Sequence, residues 1–130
     1  MKLSTALTLG LAAIPTIVSA NFIDSCDSDW YWDGKYMIAN CRKADGSKFR
    51  TRQDMNLCIG VLPNGFLYPA NTGNAWANGC AGGSKVAPTS VKAMCSTAVG
   101  WITGTPLNLG SFVENMNGYL YCFGHYGAPY

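Results

Sequence analysis

Asn64-Gly65-Phe66-Leu67-Tyr68 returns as Asn117-Gly118-Tyr119-Leu120-Tyr121, 53 residues further along the chain. Asn-Gly is the dipeptide of tight hairpin turns, because both central residues of a type I′ turn take φ > 0. The aromatic-rich stretch behind each, 66–68 and 119–123, reads as a strand. Outward from these segments the cysteines repeat as well. Cys26 and Cys41 are fifteen apart, as are Cys80 and Cys95, and the two pairs are offset by 54. At that offset Phe22 falls on Trp76, Met37 on Val91, Ala39 on Ala93, Phe49 on Thr103, Asp54 on Asn108, Met55 on Leu109 and Ile59 on Val113. One extra residue in the first copy, assigned to Pro63, changes the offset from 54 to 53. The chain therefore reads as a tandem duplication, 21–73 and 74–123, followed by a short tail, 124–130.

Local signals agree within each copy. Residues 35–41 and 90–95 read as short strands ending at a cysteine. Residues 48–52 alternate cations with Phe49 and Thr51, the period-two pattern of a half-exposed strand. Residues 54–59 and 109–113 are each a helical turn at most. The expected fold class is all-β, built of hairpins.

Composition sets the outer limits. The 130 residues are 48% hydrophobic and 12% charged, with a formal net charge of +2. That balance excludes a disordered chain and a non-specific nucleic-acid binder, which would need a strong basic excess. Lys2 followed by a mostly apolar stretch from Ala6 to Val18, and the small residues Val18-Ser19-Ala20, reads as a signal peptide over 1–20. The apolar stretch is shorter than the ~20 residues of a membrane span, and Pro15 interrupts it. The expected product is a secreted, extracellular domain over 21–130, close to neutral. In an oxidising compartment the six cysteines, Cys26, Cys41, Cys58, Cys80, Cys95 and Cys122, are expected to be disulfide-bonded. Six cysteines allow fifteen connectivities. The repeat suggests Cys26–Cys41 and Cys80–Cys95 as equivalent bridges, with Cys58–Cys122 by default. Two ~15-residue loops closed this way contribute about 3 kcal/mol each, and the longer one about 4. With no C-x-x-C pair, and one histidine near the chain end, a zinc set is not expected. No cofactor is expected either.

The doubled order Phe–x3–Cys, a second Cys fifteen residues on, Asp54-Met55-Asn56 or Asn108-Leu109, then Asn-Gly-aromatic-Leu, resembles the cyanovirin-N homology family in its secreted fungal type. The similarity runs over nearly all of 21–123. It implies two pseudo-symmetric halves of triple-stranded sheets and hairpins, each half completed by strands of the other repeat. It also implies the two within-repeat disulfides; the Cys58–Cys122 pair is additional to the family's founding pattern.

Enzymatic chemistry has little to work with. Asp27, Asp29 and Asp33 flank Trp30-Tyr31-Trp32, and paired carboxylates around a sugar would permit glycoside hydrolysis. The competing reading is a solvated loop with Trp30 or Trp32 folded over the core. Residues 79–85, rich in glycine, lack the G-K-[ST] ending of a phosphate loop and read as a flexible turn. Arg42, Lys43, Lys48, Arg50 and Arg52 are the strongest charge feature: an exposed hairpin face, or a contact for anionic polysaccharide or a membrane surface.

The family resemblance implies carbohydrate binding without catalysis or metal, on mannose-type glycans, through one shallow site per half. Ser25, Asn115, Met116 and Asn117 match the site that joins the chain start to the end of the second copy, with Asn21 and Asp24 at its edge. Arg42 and Ala44 replace the polar residues usual beside it. In the other half Gly60, Val61, Asn64 and Ala98 replace the family's polar set, so a single dominant site is expected. A second reading from the same residues is an extracellular effector or elicitor of plant defence or cell death. It would act through a host extracellular receptor, with the glycan site eroded. The expected partner is thus a glycan or a host receptor, with no nucleic acid and no membrane span. The chain is expected to be a monomer, with strand exchange into a dimer left open.

Overall fold

The computed structural model describes residues 21–130 and the backbone of Val18 and Ser19, so the expected signal peptide over 1–20 otherwise lies outside the described residues. Among the described residues fourteen short strands follow one another: β1 (Val18–Ser19), β2 (Tyr31–Asp33), β3 (Tyr36–Arg42), β4 (Lys48–Asp54), β5 (Ile59–Val61), β6 (Leu67–Pro69), β7 (Cys80–Val86), β8 (Ser90–Thr97), β9 (Gly100–Thr103), β10 (Leu107–Asn108), β11 (Glu114–Met116), β12 (Tyr119–Cys122), β13 (His125–Tyr126) and β14 (Ala128–Pro129). Three single 3-10 turns, Phe22–Asp24, Met55–Leu57 and Leu109–Ser111, interrupt them. No α-helix occurs among the described residues.

The duplication is written into the pairing. In the first copy β2, β3 and β4 form an antiparallel sheet, extended by β14; in the second, β8 pairs with β7 on one edge and with β9 and β10 on the other. Each 3-10 turn begins at a side-chain cap, because Asp54 and Asn108 stand at equivalent positions. Asp54 Oδ1 accepts from Asn56 N at 3.0 Å, and Asn108 Oδ1 from Gly110 N at 2.9 Å. Asn21 caps the first turn in the same manner, accepting from Ile23 N at 3.2 Å. Such a cap satisfies a backbone donor the turn itself cannot.

Each repeat's hairpin then packs on the other repeat's sheet. The β11–β12 hairpin lies over β3 and β4: the Phe49 and Tyr119 rings are 4.8 Å apart, and Leu120 N donates to Thr51 Oγ1 at 3.4 Å. The β5–β6 hairpin lies over β8 and β9, where Gly65 and Phe66 meet Thr97, Ile102 and Gly104. The core fills the space between. Met37 and Val91, Met55 and Leu109, and Ile59 and Val113, the pairs matched by the repeat, are all fully buried. A buried aliphatic side chain of this size contributes about 1.5–3 kcal/mol. Cys26–Cys41, Cys80–Cys95 and Cys58–Cys122 are the disulfides, and no cysteine is free. The third joins β12 to the end of the 3-10 turn before β5, and so ties the two hairpins together.

Two local expectations are corrected. Asn117 (φ 51) and Gly118 (φ 98) form the two-residue turn between Met116 and Tyr119, but Asn64 does not take φ > 0. Gly65 N bonds Leu62 O at 2.8 Å, so Pro63 and Asn64 sit at the centre of a β-turn and Gly65 alone (φ 88) is left-handed. Proline's fixed φ near −65° suits the second position of such a turn, and it forbids the all-left-handed geometry there. The glycine-rich stretch read as a flexible turn is instead strand β7, paired with β8 through a register shift between Ala81 and Ser84. Glycine is needed there twice: Gly82 takes φ 62 in the bulge, and a Cβ on Gly83 would fall 2.3 Å from the Trp32 ring. The short tail over 124–130 pairs with both repeats' strands, β13 with β12 and β14 with β4.

Candidate functional site

Asn115 lies in the middle of β11 with its side chain turned inward and fully buried. Its Nδ2 donates to Ser25 Oγ at 2.8 Å and to Arg42 O at 2.9 Å, and its Oδ1 accepts from Gly118 N at 2.7 Å. One amide thus fixes its own hairpin turn and fastens it to two segments of the first repeat. Arg42 N in turn donates to Ser25 O at 2.9 Å, closing the triangle. Ser25 ends the first 3-10 turn, its N–H bonded to Phe22 O.

Asn117, two residues on, is exposed at the hairpin tip. Its Oδ1 accepts from Ala44 N at 2.7 Å, and Nδ2 has no partner among the described residues. That contact brings the β3–β4 turn alongside. There Ser47 donates through Oγ at 2.6 Å and N at 2.9 Å to Asp45 Oδ1. The Ser47 hydroxyl, then its N–H, hold the Asp45 carboxyl below its ordinary value. Met116 is half-buried and Asp24 exposed. Ser25, Asn115, Met116 and Asn117 are therefore brought together, with a division of labour the sequence does not show. Asn115 and Ser25 are spent on the scaffold, Asn117 and the Asp45 turn line the accessible rim, and Asp24 is exposed in the 3-10 turn just before Ser25. The outer edge of β11 is paired by β1, Val18 with Met116 and Ser19 with Asn115.

The corresponding place in the other half has different chemistry. Pro63, Asn64, Thr97, Ala98, Val99 and Ile102 border an open depression of about 380 Å³. Two of its polar side chains fold back locally: Asn64 Oδ1 accepts from Phe66 N at 3.0 Å, and Thr97 Oγ1 donates to Gly100 O at 2.7 Å, while Asn64 Nδ2, like that of Asn117, has no partner among the described residues. Val61 stands where Asn115 stands in the second copy, so no amide ties this hairpin across.

The aromatic residues within the acidic cluster divide between the core and the surface. Trp30 is buried and donates through Nε1 to Pro88 O at 3.2 Å. Trp32 leans on Trp76, ring centroids 5.2 Å apart. Asp27 is paired with Lys48 at 2.5 Å. No set of three metal-ligating side chains gathers among the described residues.

Residues 22–121 match a family model described as the CVNH domain. Among solved structures, a MoCVNH3 variant (Mo0v) in complex with (N-GlcNAc)4 is similar, with a TM-score of 0.63 and 19% sequence identity. The match covers 78% of this chain and 96% of that one. No curated protein matches the chain.

Proposed function

Because the chain belongs to the CVNH family, we propose that it is a secreted, non-catalytic glycan-binding protein whose dominant site is the tip of the β11–β12 hairpin. The observation that carries this reading is Asn115, which locks the hairpin tip against the first repeat before any ligand arrives. A shallow polar site holds sugar hydroxyls only if its donors and acceptors are pre-ordered, since ordering them on binding costs affinity. The groups left facing solvent suit hydroxyl pairs: the Asn117 Nδ2 donor and the oxygens of Asp45 and Asp24. Cleavage after Ala20 would remove β1 and add the outer-edge backbone groups of β11 to this set.

Mannose-type glycans are the ligand the family resemblance implies, and the MoCVNH3 variant with (N-GlcNAc)4 adds β-linked N-acetylglucosamine oligomers. At 19% identity that structure supports the fold; the saccharide is for experiment. A glycan array of the processed protein, with Asn117→Ala beside it, tests the reading. Binding to either class that Asn117→Ala weakens supports it. A blank array, with the protein still active on plant tissue, transfers the function to a host receptor.

A further inference from the structure

The cations of β4 play no part in the hairpin site. Strand geometry puts Arg50 and Arg52 on one face, about 7 Å apart, while Thr51 and Gln53 between and beside them are buried. The Arg50 guanidinium lies 5.6 Å from the Tyr31 ring centroid and 5.4 Å from that of Tyr130. Arg52 lies 4.3 Å from the Tyr36 ring and 5.1 Å from Tyr130. Arg50 Nη2 also donates to the Tyr31 hydroxyl at 2.5 Å. The side chains thus alternate Tyr31, Arg50, Tyr130, Arg52, Tyr36 across the outer face of the sheet. Ile38, paired with both Tyr31 and Arg52, is 1% exposed beneath them.

A ring against a guanidinium fixes the orientation of the cation, and the in-plane N–H fork remains available for a bidentate anion. Among the described residues the ion pairs are Lys35–Asp54 and Lys48–Asp27; neither arginine of the ladder has a carboxylate partner. Asp54, bonded to Lys35, and Asp33 both pair in register with Tyr36 and are the acidic side chains at that end of the face. Two ordered guanidinium groups without an ion pair, beside the exposed rings of Tyr31 and Tyr130, therefore call for an anionic partner that also has faces to stack.

We propose that this arginine–tyrosine ladder is a second binding site, for a polyanionic glycan. Its carboxylate or sulfate groups would take the arginine forks, and its sugar rings would lie on Tyr31 and Tyr130. An anionic membrane is the less fitting partner. Surface-bound proteins add buried apolar side chains to their cations, and the aliphatic residue on this face, Ile38, is covered. The site is separate from the hairpin tip and stands whether or not that tip binds sugar.

Calorimetric titration of the intact, disulfide-bonded protein tests it. The probes are an oligogalacturonate for carboxylates, a heparin oligosaccharide for sulfates, (GlcNAc)4 as the neutral sugar and vesicles containing phosphatidylserine. We expect one or both anionic glycans to bind, more weakly as salt rises. Arg50→Gln with Arg52→Gln should lower that affinity at least about tenfold, since two charge-assisted contacts go. Arg50→Lys, which keeps the charge and loses the fork, should restore only part of it. If the double variant folds poorly, Arg50→Gln alone, at an exposed position, carries the test. Binding of vesicles but neither glycan, unchanged affinity in the variants, or equal loss of neutral-sugar binding would each overturn the proposal.

Discussion

Replacing Asn115 by alanine separates the two roles a polar residue can have in a lectin-like site. The side chain is fully buried and makes three hydrogen bonds, at 2.7, 2.8 and 2.9 Å. Truncation leaves Gly118 N–H and Arg42 C=O without this partner, while the Ser25 hydroxyl can turn to another. Each buried backbone group left unsatisfied costs about 1–3 kcal/mol. Two of them, less what entering water recovers, give about 2–4 kcal/mol. In a domain of this size that lowers the melting temperature by roughly 10 °C or more. Asn117→Ala loses one contact at an exposed tip and should cost less than about 1 kcal/mol. Urea denaturation of the two variants, disulfides intact, reads the difference directly. Asn115→Ala should shift the midpoint far more than Asn117→Ala, and should weaken glycan binding indirectly, through a loosened tip. Equal stability of parent and Asn115→Ala would refute the claim that this amide fastens the two repeats.

Other consequences are checked as simply. Gly118→Val and Gly65→Val should each destabilise by about 1–2 kcal/mol or more, because φ is 98 and 88 and a Cβ would meet Phe49 or Ile102 at 3.1 Å; unchanged melting of either would sink its turn assignment. Reduction of Cys58–Cys122 alone, as the double Ala variant, should cost on the order of 4 kcal/mol, and unreduced peptide maps of the parent should show this linkage with no free thiol. Asp45 titrates below its ordinary 3.8 in the folded state. Its contribution to the β3–β4 turn is therefore complete above that value and is lost as pH falls through the lower, folded one. A carboxyl 13C titration should place the Asp45 midpoint under 3.8, and Ser47→Ala should raise it; a parent midpoint at or above 3.8 contradicts the assigned hydrogen bonds.

Much of the architecture was legible because duplication doubles every signal. Positions such as Met37 and Val91, or Met55 and Leu109, recur at one offset with apolar character in both copies, and the structure buries all four. The single turns behind Asp54 and Asn108 were legible for the same reason, but their side-chain caps and the turn at Phe22–Asp24 were not. What stayed hidden was context-dependent. The glycines of β7 look like a turn until β8 supplies hydrogen bonds and Trp32 occupies the space above Gly83. Asn64 and Asn117 look alike until Pro63 changes the backbone between the strands. Asn115 and Asn117 are equally polar in sequence, and only packing shows that the first is scaffold and the second rim. The arginine–tyrosine ladder was half visible: the alternating cations of β4 are local, but Tyr31, Tyr36 and Tyr130 reach them from three separate segments.

Amide chemical-shift mapping of the 15N-labelled protein, titrated with a mannose oligosaccharide and with (GlcNAc)4, tests the hairpin-tip assignment most directly. The predicted result is one contiguous set of perturbed amides over Ser25, residues 42–47 and residues 115–118, with little change at Asn64 and Thr97. Perturbation centred on Asn64, Thr97 and Ile102, or none with either saccharide, would contradict it.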